Sequence, residues 1–125
     1  PRNVRLVSSL GDAELRWIYA HSTALVAPSF EDFGLTPLEA GIFGKPTVAR
    51  EGGGYLDTVE PGVTGVFFPE PTPEAIAAAV ERAAAYPWSV EAIRDHAASF
   101  GPERFAAALV AEVDALLGGA TRDGQ

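Results

Sequence analysis

The chain has 125 residues, enough for one domain, and its 47% hydrophobic and 21% charged residues are the ordinary balance of a globular protein. A formal net charge of −8 excludes the basic face that a nucleic acid needs and disfavours docking of this segment to anionic lipid. The absence of cysteine excludes a disulfide framework, a thiolate metal site and a cysteine nucleophile.

No apolar run approaches the ~20 residues of a membrane span. The start, Pro1-Arg2-Asn3-Val4-Arg5, has no apolar core of a signal peptide. The chain contains no methionine, which leads us to expect a piece of a longer protein, and the lack of cysteine fits an intracellular, cytoplasmic one. In chain order, residues 4–8 are rich in β-formers and predict a short strand. Gly11-Asp12 reads as a turn and cap, and residues 12–21 as a helix with Leu15, Ile18 and Tyr19 on one face. Residues 23–27 predict a buried strand ended by Pro28-Ser29, and a glycine loop follows. Thr36-Pro37-x-Glu39 has the spacing of an N-cap, a first-position proline and a capping-box glutamate, opening a helix to about Phe43 with Gly44 behind it.

Residues 46–49 predict the next strand and Gly52-Gly53-Gly54 a second flexible loop. Residues 55–59 read as one helical turn, Pro61-Gly62 as a turn, and residues 65–68 as a strand. Thr72-Pro73-Glu74 starts a long helix to about Tyr86, broken by Pro87, with Trp88 packing nearby. Residues 90–99 and 103–117 predict two amphipathic helices, and residues 118–125 a flexible tail after a domain of residues 1–117. This alternation predicts an α/β fold, a Rossmann-like doubly wound, mostly parallel sheet with C-terminal helices. In such sheets ligands bind beyond the carboxyl ends of the strands, and both glycine loops fall there.

The N–H groups of Gly34, Leu35, Thr36 and Glu39 lie at or near a helix start, where unsatisfied donors and the dipole suit a diphosphate. Gly34 permits close approach. Glu31, at the mouth of the loop, accepts hydrogen bonds and suits sugar hydroxyls, or is a solvated loop acid. Glu39 suits both hydroxyls of a ribose, or is the capping partner of Thr36. Gly53 and Gly54 supply a second set of backbone donors, or a plain turn. Asp57 is an orienting acid or a helix-start charge. His21 reads as a C-terminal cap, His96 as a surface residue and Arg50 as a surface ion-pairing residue. Two separate histidines make no metal site and no catalytic triad.

Residues 3–68 resemble the C-terminal nucleotide-sugar-binding domain of GT-B retaining glycosyltransferases, above all the glycosyltransferases group 1 (family four). The family pattern Pro-Ser-x-x-Glu-x-Phe-Gly-Leu-x-x-Leu-Glu-Ala is matched by Pro28-Ser29-Phe30-Glu31-Asp32-Phe33-Gly34-Leu35-Thr36-Pro37-Leu38-Glu39-Ala40, with one residue in place of two between Ser29 and Glu31. Gly-x-Pro-Val-Val-Ala is matched by Gly44-Lys45-Pro46-Thr47-Val48-Ala49, and the later Gly-Gly and Asp-Gly-x-x-Gly-x-Leu segments by Gly53-Gly54 and Pro61-Gly62-Val63-Thr64-Gly65-Val66-Phe67. The resemblance implies transfer of a hexose from a nucleoside diphosphate sugar to an acceptor hydroxyl, with retention and without a bound metal or cofactor. It implies that Glu31 is catalytic and contacts the donor sugar, that Glu39 binds the ribose, and that the backbone of Phe33, Gly34, Leu35 and Thr36 holds sugar and diphosphate. The Glu31-to-Pro37 variant resembles a mannosyltransferase-like branch and leans toward GDP-mannose over UDP-sugars.

The family's Pro-Glu after its Gly-Gly is Leu56-Asp57 here, a departure. The resemblance also implies that the basic phosphate clamp, two strands and the N-terminal acceptor domain lie upstream, and that the full protein could associate peripherally with a membrane. We therefore expect the isolated chain to be inactive, and residues 4–8 to re-pair beside the strand at Thr23 or to belong to a partner-completed sheet. Two other readings stay open: a GT-B epimerase or phosphorylase fragment, and a non-enzymatic α/β binding or assembly module.

Overall fold

The computed structural model describes residues 2–120. Helix α1 spans Asp12–His21, strand β1 Leu25–Ala27, α2 Leu35–Ile42, β2 Thr47–Arg50, α3 Tyr55–Thr58, β3 Gly65–Phe68, α4 Pro73–Ala85, α5 Val90–Ala98 and α6 Pro102–Ala120. The three strands form one parallel sheet in the order β1-β2-β3. Val26 pairs with Val48, and Val48 with Val66. Parallel strands need crossovers, and α2 and α3 lie within them.

Central β2 shows why the sheet carries helices on both sides. Its Thr47, Val48 and Ala49 are all buried, as expected of a strand covered on both faces. Alternation sends Val48 and Phe68 to one face, where they meet Ala79 and Ala83 of α4, with Trp88 at the margin. Ala49 and Ala27 point the other way, onto Tyr55 and Val59. α2 packs against β1, β2 and α3 on that second side, and α5 packs behind α2. There Gly41 of α2 lies so close to α5 that a Cβ would stand 2.9 Å from the Ala97 Cβ.

Most predicted elements form as read. α4 is capped by Thr72, whose Oγ1 accepts from Ala75 N–H at 3.2 Å. α2 ends in a Schellman motif, with Lys45 N–H donating to the Ala40 carbonyl at 3.1 Å and Gly44 N–H to the Gly41 carbonyl at 2.8 Å.

Four readings need correction. Residues 4–8 form no strand and do not pair with β1. A strand needs a partner ladder; Arg5 and Val7 instead line a cleft of about 640 Å³ over Ala13, Trp17 and Ile18 of α1. Second, Thr36 does not cap α2. The cap is Gly34, whose φ of 80° starts the helix two residues earlier than the Thr-Pro spacing suggests. Pro37 therefore sits at the third helical position, still within the first turn, where its missing N–H costs nothing. Third, helix α6 continues to Ala120, past Leu117; the remainder of the expected tail, residues 121–125, lies outside the described residues. α6 keeps Phe105, Leu109, Val113 and Leu116 exposed along one stripe. Fourth, His96 is not a surface residue. Its Nε2 donates to the Thr58 carbonyl at 3.0 Å, and Nδ1 stands 3.4 Å from the Glu60 carboxylate, tying α5 to the end of α3.

The two glycine loops interlock through their backbones. Gly54 N–H donates to the Glu31 carbonyl at 2.7 Å. A Cβ on Gly54 would overlap the Phe33 backbone, and one on Gly53 would overlap the Glu31 carbonyl oxygen. Gly54 has an ordinary helical φ of −63°, so it is space, not conformation, that requires glycine there. Gly54→Ala is expected to destabilise by about 2–3 kcal/mol through overpacking. Thermal unfolding should show a midpoint lower by roughly 10 °C. Gly62→Ala, whose new Cβ would meet nothing closer than Tyr86 Oη at 3.5 Å, should cost only the backbone strain of its φ of 78°, about 1 kcal/mol.

Candidate functional site

β1 delivers the chain into Pro28-Ser29 and then the loop to Gly34. Gly34 turns the backbone in the left-handed region, against the face of Tyr55; a Cβ would stand 2.7 Å from that ring. This conformation and this closeness both demand glycine. The turn aims the first amides of α2 outward. Gly34, Leu35 and Thr36 have no carbonyl one turn behind them, as at any helix start. They line a cleft of about 300 Å³ together with Glu31, Asp32 and Phe33. Glu39 is the fifth residue of α2, so its N–H is not among these free donors.

Glu31 is exposed at the rim, and one of its oxygens accepts from Ser29 Oγ at 2.9 Å. Ser29 Oγ in turn lies 3.0 Å from Tyr55 Oη. Gly53 and Gly54 stand behind the loop, fixing Glu31 and Phe33 by the contacts described above. The sequence reading thus brings Glu31, Phe33, Gly34, Leu35 and Thr36 to one cleft, with Gly53 and Gly54 as its backing.

Glu39 stands elsewhere, in a second cleft of about 270 Å³ between α1 and α2, lined also by Asp12, Arg16, Tyr19 and Phe43. It makes no capping box. Tyr19 Oη donates to Glu39 Oε2 at 2.9 Å, and the Tyr19 ring stacks on Phe43 at 5.8 Å. Arg50, at the end of β2, lies over the Phe30 ring at 5.8 Å rather than in an ion pair. His21 behaves as the expected helix-end group: Nδ1 donates to the Trp17 carbonyl at 2.8 Å. Among the described residues no cluster of His, Cys, Asp and Glu could hold a metal ion, and no helix is long and apolar enough to cross a membrane.

Sequence reasoning missed two residues, Tyr19 and Tyr55. Each is an aromatic with a polar tip, Tyr19 on a helix face read as packing and Tyr55 in a single helical turn, and that mixed character was the available signal.

The Glycosyl transferases group 1 family matches residues 1–100. The chain belongs to this family. Relatives include the glycogen synthase of Thermus thermophilus, 42% identical over 77 residues that make up 61% of this chain and 18% of that protein. The Alpha-1,3/1,6-mannosyltransferase ALG2 of Dictyostelium discoideum is 41% identical over 58 residues, 46% of this chain and 14% of its own. Among solved structures, sucrose-phosphate synthase from Thermosynechococcus elongatus superposes with a TM-score of 0.76 at 27% identity, over 95% of this chain and 31% of that one. The fold is therefore that of the GT-B glycosyltransferases, and this chain spans under a fifth of these two curated relatives.

Burial, the hydrogen bond to Glu39 and the nearby carboxylate charge push the Tyr19 phenol up from 10.0 to about 12. A phenol raised in the folded state contributes stability that is fully present below pH 10 and is lost as pH rises toward about 12. Phenolate absorbance in an alkaline titration of the folded chain should include a late step displaced toward about pH 12. That late step should vanish in Tyr19→Phe, whose stability should fall less than wild type over the same pH interval.

Proposed function

We propose that the chain is the donor-binding portion of a retaining glycosyltransferase that moves a hexose from a nucleoside diphosphate sugar to an acceptor hydroxyl. The observation that carries this reading is the Gly34-led start of α2. Its outward amides share a cleft with the exposed Glu31 carboxylate, while Glu39 projects from the same helix one turn on. The amides and helix dipole would bind the diphosphate. Glu39, with one oxygen held by Tyr19, keeps acceptor capacity for a ribose diol. Glu31 would accept from the sugar hydroxyls and act at the reacting end. No metal or cofactor is needed for this binding, because backbone donors and the dipole supply the positive potential.

Mannose carried by GDP is the favoured donor, supported by the resemblance of residues 31–37 and by the mannosyltransferase among the relatives. The glycogen synthases favour a second reading, a different hexosyl donor. The isolated chain, whose matches make up 18% and 14% of the two curated relatives, would be a binder without turnover. A cytoplasmic enzyme, associated at most peripherally with a membrane, goes with this reading.

Calorimetric titration with GDP, UDP, GDP-mannose and UDP-glucose tests it. Saturable binding is expected, unchanged by chelator and weakened about tenfold or more in Glu39→Ala, which removes charge-assisted hydrogen bonds. Absence of binding at millimolar ligand would refute the reading. Steady release of nucleoside diphosphate by the isolated chain would refute its inactivity alone.

A further inference from the structure

Tyr55 is an odd residue for its place. Its ring is 1% exposed and belongs to the core between β1, β2 and α3. Yet its hydroxyl emerges from that core beneath the first glycine loop, 3.0 Å from Ser29 Oγ. Ser29 Oγ donates its only proton to Glu31 Oε1 at 2.9 Å. A carboxylate accepts and cannot return a proton, so the direction of the chain is settled: Tyr55 Oη–H donates to Ser29, and Ser29 donates to Glu31. The backbone of Glu31 is tied to the same segment, since its carbonyl accepts from Gly54 N–H at 2.7 Å.

An exposed glutamate on a loop would ordinarily sample many rotamers. Here one oxygen is anchored to a side chain rooted in the core, and the other is left open to the cleft. We propose that Tyr55 and Ser29 are positioning residues: a two-step hydroxyl relay that holds the Glu31 carboxylate in the orientation in which it receives a donor sugar. The proposal rests on the donor reading above. Neither hydroxyl touches the ligand; both act through Glu31. Polarisation along the relay strengthens the second hydrogen bond, because a hydroxyl that accepts becomes a better donor.

The test separates the sugar from the nucleotide. Wild type and the variants Tyr55→Phe, Ser29→Ala, Ser29→Thr and Glu31→Gln are titrated with two pairs, GDP against GDP-mannose and UDP against UDP-glucose. The sugar increment is the affinity ratio within a pair. Tyr55→Phe keeps the ring against Gly34 and removes one oxygen. Ser29 is exposed, so Ser29→Ala serves as well should Tyr55→Phe fail to fold.

The expected result is a sugar increment reduced about three- to tenfold in Tyr55→Phe and Ser29→Ala, the worth of one hydrogen bond, with affinity for the bare nucleotide unchanged. Ser29→Thr, which keeps a hydroxyl, should restore it. A merely structural role would lower both members of a pair alike, and that outcome overturns the relay. Retention of the full increment in Tyr55→Phe and Ser29→Ala while Glu31→Gln loses it also overturns the relay and leaves the donor reading standing. A wild-type protein with no increment in either pair overturns the donor reading of Glu31, and the relay's role falls with it.

Discussion

The backbone contact between the two glycine loops is the constraint on which the rest of the structure depends. One loop leaves β1 and the other leaves β2, and adjacent parallel strands bring their carboxyl ends side by side. Side chains at Gly53 or Gly54 would drive the loops apart by colliding with Glu31 and Phe33. Their absence lets Gly54 N–H reach the Glu31 carbonyl, and it lets Gly34 settle on the ring of Tyr55. The start of α2, the outward direction of its amides and the rim position of Glu31 all follow from that closeness.

Much of this was legible in the residues. Four short β-rich runs alternating with helical periodicity predicted a mostly parallel sheet; three of them form it, and the burial of Thr47, Val48 and Ala49 bears that out. The Pro28-to-Ala40 motif located one cleft and its amides. Helix ends with chemical punctuation, such as Thr72 before Pro73 and Gly44 after Phe43, were readable because a single local interaction decides each of them.

The failures share a physical cause. Residues 4–8 carry strand propensity, but a strand is a pairing, and propensity is silent about whether an edge is there to receive it. Thr36 has a good capping side chain, yet Gly34 takes the cap because its left-handed turn fits the space left by Tyr55. Glu39 was read as the capping partner of Thr36 from spacing along one helix. Its partner, Tyr19, sits twenty residues earlier on another helix. His96 looked like a surface residue of an Ala-rich helix until the Thr58 carbonyl was set beside it. Long-range partners of polar tips are what a linear pattern carries least well.

Helix α2 has a consequence that reaches beyond the clefts. Glu39 and Gly41 lie two residues apart and so face nearly opposite sides, one toward Tyr19 and the other pressed onto Ala97 of α5. The helix is thus a strut with a carboxylate on one side and a close, chemically silent bearing on the other. Its depth against α5 is set by the smallest side chains available. Any bulk added at that bearing would be transmitted through the rigid helix and felt as a sideways displacement of Glu39. In this small domain, the tolerance of the Glu39 side is written on the side that faces away.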